Sequence, residues 1–129
     1  MIAQRIVNVS GASEVFGYGF VTYSNKAKHK CLGVKKRTLK EQGAVSAKCA
    51  REMAKGACKA SGADISISVT GLAGPGGGTK ETPVGTVFMG CCYKGKAIAI
   101  SLAHLAETAP CSFRVRFFTP RHLCLALLL

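Results

Sequence analysis

Acidic residues are scarce: only 6 Asp+Glu stand against 18 Lys+Arg in 129 residues, for a net charge of +12. A surface that attracts phosphates, in nucleic acid or in a small anionic ligand, is thereby favoured. Metal-site spacing is missing as well. The seven cysteines form no Cys-x-x-Cys pair, and the three histidines stand at no zinc-like distance from them. An odd cysteine count without a framework fits buried, reduced thiols. No apolar run approaches the roughly 20 residues of a membrane span, and Arg5 interrupts the short apolar start, which therefore is no signal peptide. These readings favour a cytoplasmic protein with no membrane partner. There is no internal repeat, no interdomain linker and no collagen-like glycine period.

What is present is a mixture of strand and helix patterns at single-domain length. Residues 1–9 carry Ile2, Ile6 and Val9 at helical spacing. Residues 15–23 are rich in β-branched and aromatic types, and Gly17 and Gly19 suggest a bend in that strand. Ser24 is placed to cap a helix over residues 25–31 that ends at Gly33, and Thr38 to cap another that stops at Gly43. Ser46 opens a longer helix over 47–61, with Ala50, Met53, Ala54, Ala57 and Cys58 as its apolar stripe. A strand over 65–70, a Gly/Pro-rich loop over 71–83 and a hairpin of 84–93 with 97–102 about Lys94-Gly95-Lys96 complete the pattern. From His104 on, no clean period of 2 or 3.6 is visible. The expectation is a layered α/β domain.

Three segments carry chemistry. The run 70–79, Thr-Gly-Leu-Ala-Gly-Pro-Gly-Gly-Gly-Thr, follows a strand directly and lets backbone N–H groups approach an anion. It lacks the Gly-Lys-Ser/Thr of a phosphate-binding loop and the following helix of a dinucleotide fingerprint. In Tyr23-Ser24-Asn25-Lys26-Ala27-Lys28, a lysine in the first helical turn feels the positive end of the helix dipole, which favours its neutral, basic form. The third segment is Ser10-Gly11-Ala12-Ser13-Glu14, a turn bearing Ser13 as a candidate nucleophile that needs a base partner. Each has a plainer reading: a mobile turn, a solvated lysine and a capping serine. Residues 26–59 hold eleven Lys or Arg with only Glu41 and Glu52 opposing and no interleaved aromatics. Solvated helix faces explain that cluster better than a nucleic-acid signature does.

Taken together, these segments resemble the C-terminal domain of the CinA (competence/damage-inducible) family. The likeness runs through 11–16 (Gly-Ala-Ser-Glu-Val-Phe), 19–28, 32–34, 43–46, 69–77 and 83–87 in family order and covers about residues 1–103. It implies a layered α/β/α domain with a mixed sheet, and a nicotinamide mononucleotide (NMN) amidohydrolase that turns the carboxamide into the acid and ammonia. It also implies a serine nucleophile, a lysine base, and neither metal nor cofactor. Carried over by motif, Ser13, Lys28 and Tyr23 are the catalytic residues, and Thr70, Gly71, Ala73 and Gly74 line the nucleotide site.

The resemblance implies departures too. Family members have a strand and an Ala-Glu-Ser-Cys-Thr-Gly-Gly segment upstream of where Met1 stands, and Glu where this chain has Lys26. Their Phe-Ser-Gly-Asp-Arg segment corresponds here to 104–109, and one coding of those six residues yields it in a shifted frame. The expectation is a domain incomplete at both ends, 1–103, followed by a divergent, frameshifted tail, 104–129. Two further classes compete with the enzyme: a catalytically silent relative that binds a nucleotide or a partner, and a basic nucleic-acid-binding module; for the enzyme, no specific nucleic acid is expected as a partner. Self-association into a homo-oligomer is left open.

Overall fold

A computed structural model describes residues 2–101 and the backbone of 123–127. The expected tail, 104–129, otherwise lies outside the described residues, as do His104, Cys111, His122 and the segment 104–109. In chain order the elements are α1 (Ile2–Val7), α2 (Ala12–Val15), β1 (Phe16–Val21), α3 (Asn25–Leu32), α4 (Lys36–Glu41) and α5 (Ala47–Ser61). They continue with β2 (Ile65–Gly71), β3 (Val87–Tyr93), β4 (Lys96–Ser101) and β5 (Leu123–Leu127).

Five strands form one mixed sheet in the order β1-β5-β2-β3-β4. β1, β5 and β2 are parallel, whereas β2–β3 and β3–β4 are antiparallel. The register shifts between Phe16 and Tyr18, around Gly17, which is the bend expected of that strand. The β3–β4 hairpin turns through Lys94 and Gly95, both at positive φ, as a tight two-residue connection requires.

Helix α5 lies across the sheet, capped by the Ser46 hydroxyl, which accepts from the Cys49 amide at 3.2 Å. Its stripe buries Cys49, Ala50, Met53, Ala54 and Ala57. The core cluster joins Cys49, Met53 and Ala57 to Leu32, Val34 and Ala63, with Phe20 and Leu39 packed at its margin. Two glycines set the close spacing. A Cβ on Gly56 would collide with the Leu32 carbonyl of α3, and one on Gly90 with the Ala50 carbonyl.

Two details depart from the sequence pattern. Thr38 does not cap α4; Lys35 stands at that position, and Thr38 is a buried helical residue whose hydroxyl donates to Glu52 Oε1 at 2.8 Å. The alternating strand β2 turns its polar set, Ser66, Ser68 and Thr70, into the protein, where all three are buried. Ser66 and Ser68 donate to the Ala54 and Ala50 carbonyls of α5, each at 2.6 Å. Hydroxyls this short and paired are small enough to admit a helix close to the strand, and their hydrogen bonds offset the cost of burial.

Candidate functional site

Because β1 and β2 run parallel, with Val21 and Val69 both opposite Leu127, their carboxyl ends open on the same side of the sheet. That is where an α/β sheet offers a crevice to a ligand. Thr22 and Tyr23 leave β1 there, and Thr70 and Gly71 end β2 there.

From Tyr23 the chain turns directly into α3. The Ser24 hydroxyl accepts from the Ala27 amide at 3.0 Å, and Gly33 closes the helix at positive φ. This short helix folds Lys28 back beneath itself. The Lys28 side chain is completely buried. Its Nζ donates to the Thr22 carbonyl at 2.9 Å and to the Tyr23 carbonyl at 3.2 Å. Among the described residues no carboxylate is bonded to it: Glu52 accepts from the Lys35 amide and Thr38, and Glu41 from Arg37. Burial lowers the lysine pKa, against a smaller opposing influence from the adjacent Cys49. The same burial pushes the Cys49 thiol up to about 11, and Glu52 adds to that rise while Lys28 opposes it.

Donor counting points in the same direction. A neutral amine has two N–H groups, and two carbonyls receive them. Its lone pair then stays available to take a proton, whereas an ammonium would need a third acceptor. The Thr22 hydroxyl is itself buried without a hydrogen-bond partner.

Across the sheet, the Thr70 hydroxyl donates to the Ala44 carbonyl at 2.8 Å and so ties the start of the α5 cap to the end of β2. The loop that follows is closed at its base by Leu72 N–H to the Thr86 carbonyl (3.0 Å) and Gly85 N–H to the Leu72 carbonyl (2.8 Å). These bonds delay β3 until Val87, three residues later than the apolar pattern suggests. Gly74 has φ +79°, and a Cβ there would lie 2.6 Å from Val84 Cγ1, so the loop needs glycine at that point. Ala73, beside it, is exposed.

Ser13 is elsewhere. It sits in α2, immediately before β1, exposed on a cavity of about 350 Å³ together with Val7, Ser10, Gly11 and Phe16. Strand β1 alone separates Phe16 from Thr22 by roughly 20 Å. Lys28, Tyr23, Thr70, Gly71 and the glycine loop thus share one end of the sheet, and Ser13 flanks the other. Tyr23 contributes its carbonyl to Lys28, while its side chain is 78% exposed.

Sequence reading missed Thr22, Cys49 and Glu52. Thr22 acts through a main-chain carbonyl, which every residue type has, so no signal marks it. Cys49 lies on the α5 stripe and looks like ordinary core. Among the described residues no group of His, Cys, Asp and Glu is arranged to hold a metal ion, and no helix is long and apolar enough to cross a membrane.

Known proteins give a consistent comparison. The CinA C-terminal domain family matches residues 1–116. A competence-damage inducible protein of Clostridium perfringens is 61% identical over 95 residues, which is 74% of this chain and 23% of that protein. A CinA-like protein of Kosmotoga olearia is 55% identical over 96 residues, with the same shares. The chain therefore spans about a quarter of the length of the curated relatives it matches. Among solved structures, the competence/damage inducible protein CihA of Agrobacterium tumefaciens superposes with TM-score 0.73 at 44% identity, covering 78% of this chain and 61% of that one. A CinA-superfamily protein of Escherichia coli gives TM-score 0.73 at 39% identity, covering 78% and 59%.

Proposed function

Since the chain belongs to the CinA C-terminal domain family, we propose that it is an NMN amidohydrolase-like domain in which Lys28 is the general base. The observation that carries this reading is the completely buried Lys28 amine, bonded to two carbonyls and to no carboxylate. In such a site a hydroxyl adds to the carboxamide carbon while Lys28 takes its proton. Lys28 then returns the proton to the leaving nitrogen, which departs as ammonia. Water cleaves the resulting ester to give the acid. The resemblance names Ser13 as that serine, which stands at the far end of β1 from Lys28, and it assigns the N–H groups around Thr70, Gly71, Ala73 and Gly74 to the nucleotide and the oxyanion.

A second reading is favoured by one observation, the placement of Ser13 and Lys28 at opposite ends of β1. On that reading the chain is a catalytically silent relative that keeps a nucleotide site.

Ammonia release from NMN separates the two. Turnover that is lost in both Lys28→Ala and Ser13→Ala supports the serine/lysine enzyme. Turnover that survives Ser13→Ala but not Lys28→Ala removes Ser13 from the mechanism. Saturable NMN binding with no ammonia release establishes the silent relative.

A further inference from the structure

The outer side of α3 and α4 carries a second feature, distinct from the Lys28 site. There a cavity of about 650 Å³ is lined by Lys26, Lys30, Lys36 and Lys40, with Asn25 and His29. Its volume is that of an ordinary small-molecule site.

The four lysines form two pairs at i,i+4 spacing, one on each helix, and so project on the same side of each helix. Like charges at that spacing repel and cost helix stability. Two such pairs converge on one cavity, yet among the described residues no carboxylate lines it. The nearby acids are engaged elsewhere: Glu41 accepts from Arg37 Nε at 2.8 and 3.0 Å, and Glu52 from Thr38 and the Lys35 amide. The His29 Nδ1–H donates to the Val34 carbonyl at 2.8 Å, which holds the ring in place and leaves Nε2 as its other polar atom. Asn25 opens α3, so the positive end of that helix adds to the field.

We propose that this cavity binds an oligophosphate anion, a chain of three or more linked phosphates. Four ammonium groups with no internal counter-charge exceed what a single phosphate neutralises. A linear polyanion relieves the repulsion in both pairs at once. The chain of phosphates comes either from a nucleoside triphosphate or from inorganic polyphosphate. The site is independent of the amidohydrolase reading, since neither Lys28 nor Ser13 lines it.

Calorimetric titration with tripolyphosphate, ATP and inorganic phosphate at physiological ionic strength tests the assignment. One-to-one saturable binding of tripolyphosphate or ATP is expected, with inorganic phosphate at least about tenfold weaker. Tighter ATP binding assigns the ligand to nucleoside triphosphates, and tighter tripolyphosphate binding to the inorganic chain. The double variant Lys30→Gln/Lys40→Gln should weaken binding about tenfold or more, while Lys48→Gln/Lys59→Gln, on α5 outside the cavity, should leave it unchanged. Equal losses in both double variants, equal affinity for inorganic phosphate, or tighter non-saturating binding of a DNA duplex would overturn the proposal in favour of a generally basic surface.

Discussion

The Lys28 amine nitrogen lies 2.9 Å from the carbonyl oxygen of Thr22, six residues earlier in the chain and at the last turn out of β1. A short strand, a capped turn and a short helix bring the two together. The bond aims a buried amine at the open end of a parallel strand pair without supplying the carboxylate that would hold it charged. Several consequences are measurable.

Replacing Lys28 by Met keeps the length of the side chain and removes the amine. On the proposed general-base role, ammonia release from NMN should fall roughly a hundredfold or more, the scale of a lost general base. Stability at neutral pH should hold or rise. The sign follows from the lowered pKa: between that value and the ordinary 10.5 the unfolded chain binds more protons, so the Lys28 contribution to stability increases with pH across that window. Urea melts of parent and Lys28→Met across this range check it. A Lys28-dependent stability that instead fell with pH would mean the amine is buried as a stabilised cation.

Thr22→Val should cost less than about 0.5 kcal/mol, or stabilise the fold. The hydroxyl is buried with no hydrogen-bond partner, and an isosteric methyl removes an unsatisfied group while the Thr22 carbonyl stays in place for Lys28. Chemical denaturation reads this directly. A loss of 1–2 kcal/mol or so would show that the hydroxyl is satisfied in solution, for instance by a buried water.

Gly56→Ala should destabilise by about 1–3 kcal/mol or more, because the added methyl meets the Leu32 carbonyl rather than a movable side chain. Leu32 ends the helix that carries Lys28, so the same substitution should lower the proposed amidohydrolase turnover beyond any loss of folded protein. Thermal melting alongside turnover per folded molecule separates the two effects.

Cys49 gives a pH signature of opposite sign. Its folded pKa is raised from 9.0 to about 11, so its stabilising contribution is complete below pH 9 and fades as pH rises towards 11. Cys49→Ala should be less stable than the parent near neutrality, from the cavity it leaves. The gap should narrow steadily between pH 9 and 11. A gap independent of pH would mean that the thiol titrates alike in both states.

Much of the architecture was legible in the sequence because it is local. Ser24, Gly33 and Ser46 mark helix ends through hydrogen bonds and φ angles that involve only neighbouring residues. The stripe of α5 and the Lys94-Gly95 turn are periodic or two-residue signals of the same kind. Thr38 misled for the matching reason. Its hydroxyl was free to cap locally, but a long-range partner, Glu52, claimed it. The inward turn of Ser66 and Ser68 likewise depended on helix carbonyls 12 and 18 residues back, which no alternation pattern names.

For the site, the sequence by itself determined which groups are present: a lysine at the start of a helix, a hydroxyl-bearing strand end, a glycine loop and a surplus of positive charge. The tertiary structure alone decided which of them meet. Parallel pairing through β5 sets Thr22 and Thr70 at one end of the sheet and leaves Ser13 at the other. Burial beneath α3 separates Lys28 from Lys26 and Lys30, its solvent-facing neighbours of identical or near-identical local chemistry. The physical reason is that desolvation and proximity belong to the packed chain: they depend on what lies across the core, and a residue's neighbours in sequence do not specify that.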